Sequence, residues 1–252
     1  MGDLFDLTGK VALVTGSTRG IGRAIAEAMV ARGAQVVISS RKPEACAAVA
    51  AEIGPAAVPI ACNVSDDGAI AQLLEQAEAR LGAVDILVCN AAVNPYMGPF
   101  LDTPDEAFDK TIAVNIRANM RLCKGVIPGM QAKGGGAIVI VSSIAAFKGS
   151  EHLGIYAVTK AADTQIVRNL AVAYGSDNIR VNGIAPAVVK TDFARALYED
   201  PEKARRTAES YALKRLGEPE DIAGVAVMLA APAGAWMSGQ TLIVDGGWSA
   251  MG

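Results

Sequence analysis

Short runs of apolar, mostly β-branched residues recur along the whole chain, separated by longer alanine-rich stretches with helical periodicity. Most of the runs are apolar without an alternation of polar residues, which is typical of strands covered on both faces of a sheet. Such strands alternating with helices form parallel sheets, because each connection must return to the same end of the sheet. The sequence therefore predicts a doubly wound α/β domain whose seven-stranded parallel sheet has helices on both faces. The predicted strands are residues 11–15, 36–39, 58–62, 86–89, 138–141, 180–184 and 241–244.

The chain is long enough to bury one α/β core, with 252 residues of which 52% are hydrophobic and 19% charged. No linker, internal repeat or low-complexity block divides it, so we predict one domain over residues 1–252. One long polar connection, at about residues 190–212, follows the sixth predicted strand and precedes a helix that begins near Pro219. A connection of this length is more often a lid than a structureless loop, so we predict a substrate lid there.

The charge pattern argues against nucleic acid and membrane surfaces as partners. The chain has 23 basic and 26 acidic residues, and no run of Lys or Arg exceeds two, which does not favour nucleic acid or a membrane surface. Neither a secretory signal nor an apolar segment long enough to cross a bilayer is visible. Four cysteines without paired spacing and one histidine predict reduced thiols and no metal site. We therefore expect a cytoplasmic protein whose partner is a small molecule.

A glycine-rich turn, TGSTRGIG at residues 15–22, follows the first predicted strand and opens a helix. Glycines let the backbone approach a diphosphate closely, and the start of the helix offers unpaired N–H groups with partial positive charge. The turn therefore predicts a dinucleotide site, with GxxxGxG spacing in place of the usual GxGxxG. The predicted cofactor contacts in this turn are Gly16, Ser17, Arg19, Gly20, Ile21 and Gly22.

The end of the second predicted strand indicates which dinucleotide is bound. An acidic residue there would bond the ribose 2′-hydroxyl of NAD, whereas an arginine suits the 2′-phosphate of NADP. Ser40 and Arg41 stand at this point, and no acid precedes Glu44. Arg19 in the glycine-rich turn adds a second cation that reaches the same phosphate if its side chain turns that way. We therefore predict that NADP(H) is preferred over NAD(H).

Tyr156 and Lys160 form the most informative pair in the second half of the chain. Their spacing of four places the phenol and the ammonium on one face of a helix. A free tyrosine titrates near 10, and a cation at about 5 Å would favour the phenolate by roughly 3 kcal/mol at an effective dielectric of about 20. The pair therefore predicts acid/base chemistry, and Ser143, after the fifth strand, can hydrogen-bond the same substrate oxygen.

Taken together, these residues resemble the short-chain dehydrogenase/reductase family over nearly the whole chain. The resemblance rests on TGSTRGIG (15–22), CNAA (89–92), Asn115 in AVNIRA, Ser143, YAVTK (156–160), IRVNGIAPA (179–187) and DGG (245–247). It implies a Rossmann-like fold and a homotetramer, or a homodimer. Within the family, SSRK after the second strand, residues 189–204 and RLGEPED (215–221) are similar to NADP-dependent carbonyl reductases of the peroxisomal type.

The resemblance also assigns roles to individual residues. Tyr156 is implied to be the general acid of carbonyl reduction, with Ser143 steadying the carbonyl. Lys160 is implied to bind the nicotinamide ribose and to lower the tyrosine pKa, and Asn115 to hold a water that links Lys160 to solvent. Further implied cofactor contacts, besides Ser40, Arg41, Tyr156 and Lys160, are Asn63, Val64, Asn90, Ala91, Pro186, Val189 and Thr191.

The substrate wall implied by the resemblance is largely apolar, which favours uncharged ketones, aldehydes and secondary alcohols. Two other functions stay open. A 3-oxoacyl-carrier-protein reductase would share the catalytic residues, but residues 171–177 lack the Lys or Arg that an acidic carrier needs. A nucleotide-sensing protein on an inactive dehydrogenase typically loses part of the catalytic tetrad, which the resemblance places at Asn115, Ser143, Tyr156 and Lys160, and none of the four is lost here. The predicted substrate contacts are Asn94, Tyr96, Phe147, His152 and Phe193.

Overall fold

Seven parallel strands form one sheet at the centre of the computed structural model, which describes residues 2–251. The strand order is β3-β2-β1-β4-β5-β6-β7, so the predicted seven-stranded parallel sheet is confirmed. The strands are β1 Val11–Thr15, β2 Gln35–Ser39, β3 Ala57–Pro59, β4 Ile86–Cys89, β5 Gly136–Val141, β6 Ile179–Pro186 and β7 Thr241–Val244.

Helices cover both faces of the sheet, and this explains why the strands are mostly apolar. Successive side chains of a strand point to opposite faces, so Ala12 and Val14 pack in one core and Val11 and Leu13 in the other. The first core is closed mainly by α1, α2 and α8 and the second by α3, α5 and α6. The helices are α1 Gly20–Ala31, α2 Pro43–Ile53, α3 Asp67–Leu81, α4 Asp105–Ile112, α5 Ala118–Ala132, α6 Gly154–Tyr174, α7 Pro201–Glu209 and α8 Pro219–Ala230.

Strand β3 differs most from its prediction, since it ends at Pro59 instead of continuing to residue 62. A proline has no N–H to donate, so regular pairing stops there, as it does on many edge strands. The chain nevertheless stays beside β2, because Ile60 N donates to Ile38 O at 3.0 Å and Cys62 N to Ser40 O at 2.8 Å.

The long connection after β6 is ordered and contains a 3₁₀ helix, Asp192–Leu197, followed by α7. Its base is fixed by the buried Tyr211, whose hydroxyl accepts a hydrogen bond from Val188 N at 3.2 Å. Helix α8 begins at Pro219, as the sequence predicts. The connection therefore stands beside the carboxyl end of β6 as a structured element.

The strand order reverses between β1 and β4, and this reversal fixes where a ligand can bind. The connections that follow β1 and β4 run in opposite directions, to opposite faces of the sheet. This leaves a crevice between them at the carboxyl ends of the two strands. The glycine-rich turn follows β1, and the CNAA segment continues from β4. Both motifs predicted from the sequence therefore meet at the crevice.

Two further expectations concern membrane and redox properties. Among residues 2–251, no helix combines the length and mean hydropathy that crossing a bilayer requires. Cys46, Cys62, Cys89 and Cys123 are all free and buried. They pack as small apolar side chains in the two cores.

Candidate active site

The glycine-rich turn has the backbone shape that close approach of a phosphate requires. Gly16 and Gly20 have φ angles of +66° and +54°, in the left-handed region that favours glycine. A Cβ at Gly22 would collide with Gly16 O and with the Asn90 side chain. Substitution by alanine would therefore displace the turn.

Ser17 and Asn90 hold this turn against its neighbouring strands. The Ser17 hydroxyl donates to Val14 O at 2.7 Å and accepts from Ser39 N at 2.8 Å. The Asn90 amide donates to Thr15 O at 2.9 Å. Both residues were predicted as cofactor contacts, and that stays a prediction. In the structure the Ser17 hydroxyl and the Asn90 amide nitrogen stabilise the turn itself.

The polar groups left over at the crevice fit a dinucleotide. The first turn of α1 has neither a side-chain cap at Arg19 nor an acidic residue, so its N–H groups are free to face an anion. Ser39 Oγ, at the carboxyl end of β2, is buried without a hydrogen-bond partner among the described residues. An unsatisfied buried hydroxyl is costly, and the ribose of a bound dinucleotide offers it a partner.

Arg19 lies in a different place from the one that the NADP argument requires. Its guanidinium pairs with Asp192 at 3.0 Å, at the start of the connection after β6. Thr191 packs so close to Gly20 that a Cβ there would lie 2.9 Å from its methyl group. This packing brings the Asp192 carboxylate to Arg19, so Arg19 is directed to the connection while Arg41 stays exposed at the end of β2.

The remaining predicted cofactor residues also lie near the carboxyl edge of the sheet. Thr191 caps the 3₁₀ helix by accepting from Ala194 N at 3.3 Å. Asn63 accepts from Ser65 Oγ at 2.9 Å and so forms its own turn after β3. The rest of this set, Ile21, Ser40, Val64, Ala91, Pro186 and Val189, belongs to the segments that follow β1, β2, β3, β4 and β6 or to their last residues.

The predicted acid/base pair is assembled on α6, next to the end of β5. Tyr156 is 8% exposed and Lys160 2% exposed, and Lys160 Nζ lies 5.7 Å from the centre of the phenol ring. Ser143 caps a short 3₁₀ helix after β5 by accepting from Ala145 N at 3.1 Å. The same hydroxyl is near enough to the phenol of Tyr156 to lower its pKa. The structure thus brings Ser143, Tyr156 and Lys160 together as predicted.

The protonation of Tyr156 differs from the sequence prediction. Burial raises the pKa of its phenol above the ordinary value of 10, although Lys160 and the nearby Ser143 hydroxyl both lower it. The lowering of the tyrosine pKa by Lys160 is therefore present as expected, but the loss of water around the phenol, which the spacing of residues does not report, outweighs it. In this structure Tyr156 holds its proton at neutral pH, which suits a proton donor.

Lys160 has a partner that the sequence argument missed. Its ammonium donates to Val141 O at 2.8 Å and to Asp163 Oδ2 at 3.1 Å. Asp163 is fully buried and also accepts from the Asn119 amide at 3.3 Å. The signal was available, because an acid three residues after a lysine lies on the same helix face.

Asn115 is held in a π-helical turn, Ala113–Arg117, between α4 and α5. Its side chain accepts from Val93 N at 2.9 Å and donates to Val93 O and to Thr159 Oγ1, both at 3.0 Å. Turns of this kind are frequent at functional sites. Asn115 therefore ties the segment after β4 to α6, and its role in holding a water stays a prediction.

The predicted substrate residues surround the phenol unevenly. The Phe193 ring centre lies 6.0 Å from that of Tyr156, so the connection after β6 reaches the acid/base pair. Gly98 N donates to His152 O at 3.0 Å, which joins the segments that carry Tyr96 and His152. Asn94 Oδ1 is buried without a partner among the described residues. His152 and Phe147 are exposed, so they stand at the rim.

This fold and site are those of a class of oxidoreductases in which a crevice suited to a dinucleotide lies next to a tyrosine–lysine pair. The family model described as "Enoyl-(Acyl carrier protein) reductase" matches residues 16–249. The human protein "Dehydrogenase/reductase SDR family member 4" is 42% identical over 245 residues, covering 96% of this chain and 88% of that protein. The chain belongs to the short-chain dehydrogenase/reductase family.

Two solved structures show how closely the fold is shared. A 7 alpha-hydroxysteroid dehydrogenase complexed with NADH and 7-oxo glycochenodeoxycholic acid is 38% identical, with a TM-score of 0.93 and coverage of 97% of this chain and 96% of that one. A 3-oxoacyl (acyl-carrier-protein) reductase from Agrobacterium tumefaciens C58 with NADP bound is 35% identical, with a TM-score of 0.90 and coverage of 96% and 95%. The family therefore includes neighbours with either cofactor.

The shape of the glycine-rich turn leads to a testable prediction. We expect Gly22→Ala to destabilise the protein by about 1–3 kcal/mol, because its methyl group has no room. Gly224→Ala is the matched control, since Gly224 also lies in a helix but its Cβ would meet nothing within 4 Å. There we expect a gain of about 0.5–1 kcal/mol. Urea unfolding checks both variants, and equal stabilities would contradict the close packing.

Proposed function

We propose that this protein is an NADP(H)-dependent oxidoreductase that interconverts a ketone or aldehyde with an alcohol, usually a secondary one. The observation that carries this proposal is the buried Tyr156–Lys160 pair with Ser143 beside it. The pair lies at the carboxyl ends of the strands, as does the glycine-rich turn. The whole chain serves as the dinucleotide-binding unit, and the connection at about 190–212 serves as the substrate lid. When bound, the cofactor supplies or accepts a hydride.

The chain's own residues move and hold the proton. Ser143 hydrogen-bonds the substrate oxygen and aligns it with the phenol. Tyr156 donates its proton to that oxygen in reduction and recovers it in oxidation. Lys160 stabilises the phenolate that reduction leaves behind, because its ammonium lies 5.7 Å from the ring centre. The raised pKa of Tyr156 supports the reducing direction at neutral pH, since the acid form is then available.

The cofactor preference rests on Ser40 and Arg41. Arg41 is exposed and the segment offers no acid for a ribose 2′-hydroxyl, which supports NADP(H). Arg19 contributes only if it leaves Asp192 for the cofactor phosphate. A relative solved with NADP bound supports this proposal, while the steroid dehydrogenase solved with NADH shows that a similar fold takes the other cofactor.

The substrates that suit this site are uncharged. Phe193 lies beside Tyr156, and Phe147 and Met97 are large apolar side chains with half of their surface exposed. A 3-oxoacyl-carrier-protein reductase is the second candidate, favoured by the 35% identical relative of that name. The absence of Lys and Arg from residues 171–177 counts against it. A cofactor sensor without turnover is the third, and the complete tetrad counts against that.

We expect Tyr156→Phe to lower the rate of carbonyl reduction by about 10²–10⁴ with little change in NADPH affinity, because it removes the proton donor and leaves the ring. Tyr174→Phe, at the other end of α6, is the matched control and should keep the wild-type rate. Steady-state kinetics and cofactor titration measure the two quantities. Retention of more than about a tenth of the rate by Tyr156→Phe would overturn the proposed role.

We expect kcat/KM with NADPH to exceed that with NADH by roughly tenfold to a hundredfold. A charge-assisted bond from Arg41 to the 2′-phosphate is worth about 1.5–3 kcal/mol, and about 1.4 kcal/mol is tenfold. The double variant Ser40→Asp with Arg41→Ala should reverse the preference, since it adds repulsion and removes attraction. Arg32→Ala, a surface arginine paired with Asp3, should not change it. Equal use of both cofactors by the wild type would refute the argument.

We also propose a cytoplasmic homotetramer, or a homodimer. The support for self-association is apolar surface, since Trp236 is 98% exposed and Val172 86% exposed. The two belong to adjoining segments, because a Cβ at Gly239 would lie 3.4 Å from Ala171. We expect light scattering at micromolar concentration to give a multiple of the 25.9 kDa chain, and Trp236→Arg to reduce it. A wild-type monomer would contradict this proposal.

A further inference from the structure

Asp163 is a buried acid that the proposed proton transfer does not require. Its side chain is fully buried, with Lys160 and the Asn119 amide as its polar partners. Removing a carboxylate from water costs several kcal/mol, and replacing a buried ion pair by apolar residues is often neutral or stabilising. The stability of the fold therefore does not explain why an acid stands at this position.

The position of Asp163 on α6 determines what it can do. Tyr156, Lys160 and Asp163 follow at spacings of four and three, so they lie along one helix face, with the lysine between the phenol and the carboxylate. An ammonium has three protons. Two of them are taken by Val141 O at 2.8 Å and by Asp163 Oδ2 at 3.1 Å. The third proton is not used by these two acceptors and is available on the side of Lys160 where the phenol of Tyr156 lies.

The same arrangement sets the charge that the phenol experiences. Lys160 lowers the pKa of Tyr156, whereas the carboxylate of Asp163 raises it. Burial by itself would lower the pKa of Lys160, but Asp163 and the phenol raise it, and the net direction is upward. Burial raises the pKa of Asp163, while Lys160 and the Asn119 hydrogen bond act in the opposite direction. With Lys160 protonated and Asp163 ionised, the phenol faces a cation whose charge is partly cancelled.

Two further titratable groups face this cluster from other elements. These are Cys89 at the end of β4 and Cys123 on α5, and the neighbouring Cys123 thiol together with burial holds the pKa of Cys89 well above its ordinary value. The Cys89 thiol is therefore neutral at neutral pH. Ser143 adds a neutral hydroxyl beside the phenol. Lys160 and Asp163 thus supply the charges that act on Tyr156.

We propose that Asp163 is a positioning residue that fixes the Lys160 ammonium and cancels part of its charge, so that Tyr156 keeps the proton needed for carbonyl reduction. This inference rests on the proposed role of Tyr156. When Asp163 is replaced by asparagine, Val141 O and the new amide oxygen still accept from the ammonium, so Lys160 stays protonated and acts on the phenol with its full charge. The phenolate then forms at lower pH. Asp163 thereby sets the pH range in which the enzyme reduces rather than oxidises.

The test is a spectrophotometric titration of tyrosinate in the cofactor-free protein. Subtracting the titration curve of Tyr156→Phe from that of the wild type leaves the contribution of Tyr156. Subtracting the curve of the double variant Asp163→Asn with Tyr156→Phe from that of Asp163→Asn leaves the contribution of Tyr156 in the absence of the carboxylate. We expect the Tyr156 midpoint to fall by about one pH unit or more in Asp163→Asn. The pH profile of alcohol oxidation should move to lower pH in parallel. An unchanged midpoint, or one that rises, would overturn the proposal.

Matched variants separate this effect from general damage. Asp85 is also a buried acid, paired with Lys133 at 2.6 Å, but it precedes β4 at the amino ends of the strands, away from Tyr156. Asp85→Asn should therefore not move the Tyr156 midpoint. Asp163→Glu keeps the charge and should titrate like the wild type. If Asp163→Asn does not fold, Asp163→Ser removes the same charge in a smaller side chain.

The outcomes also distinguish this inference from the function on which it rests. If Tyr156→Phe retains the wild-type rate, the proposed function fails whatever the titration shows. If Tyr156→Phe is inactive and the Tyr156 midpoint is the same with and without the Asp163 carboxylate, the proposed function stands and the positioning role fails.

Discussion

The buried ammonium of Lys160 is the charge on which the rest of the site depends. A lysine that is 2% exposed stays protonated only when nearby oxygens replace its water, and Val141 O and Asp163 Oδ2 do so. The first is the last carbonyl of β5 and the second belongs to α6. The cation therefore joins strand and helix at the point where Tyr156 meets Ser143.

The parallel sheet makes this arrangement possible because all its strands end at the same edge. The segments that follow these strands therefore lie close together. They are the glycine-rich turn after β1, the Asn90 segment after β4, Ser143 after β5 and the connection after β6. The reversal of strand order at β1 and β4 opens the space between them. Asn115 in its π-helical turn then ties the β4 segment to α6.

The features that the sequence predicted well are those with a local signature. Short, mostly apolar runs identified all seven strands, and only β3 ended early, at Pro59. The spacing of four correctly placed Tyr156 and Lys160 on one face, and the same rule applied at a spacing of three would have found Asp163.

The features that it missed depend on tertiary surroundings. Arg19 pairs with Asp192, 173 residues later in the chain, and no local pattern encodes that contact. The direction of the Tyr156 pKa depends on how completely folding removes water from the phenol, which the spacing of residues does not report. The hydroxyl of Ser17 hydrogen-bonds Val14 O and Ser39 N, and the glycine-rich motif does not report this pairing between strands.

If this site transfers hydride between a nicotinamide cofactor and a neutral carbonyl compound, an isotope on the cofactor must appear in the product alcohol. NADPH carrying deuterium at both positions of its reactive carbon is incubated with the protein and a neutral ketone, and the alcohol is analysed by mass spectrometry. We predict one deuterium on the carbinol carbon of the product. Cofactor binding without labelled alcohol, over a panel of neutral ketones and aldehydes, would contradict it.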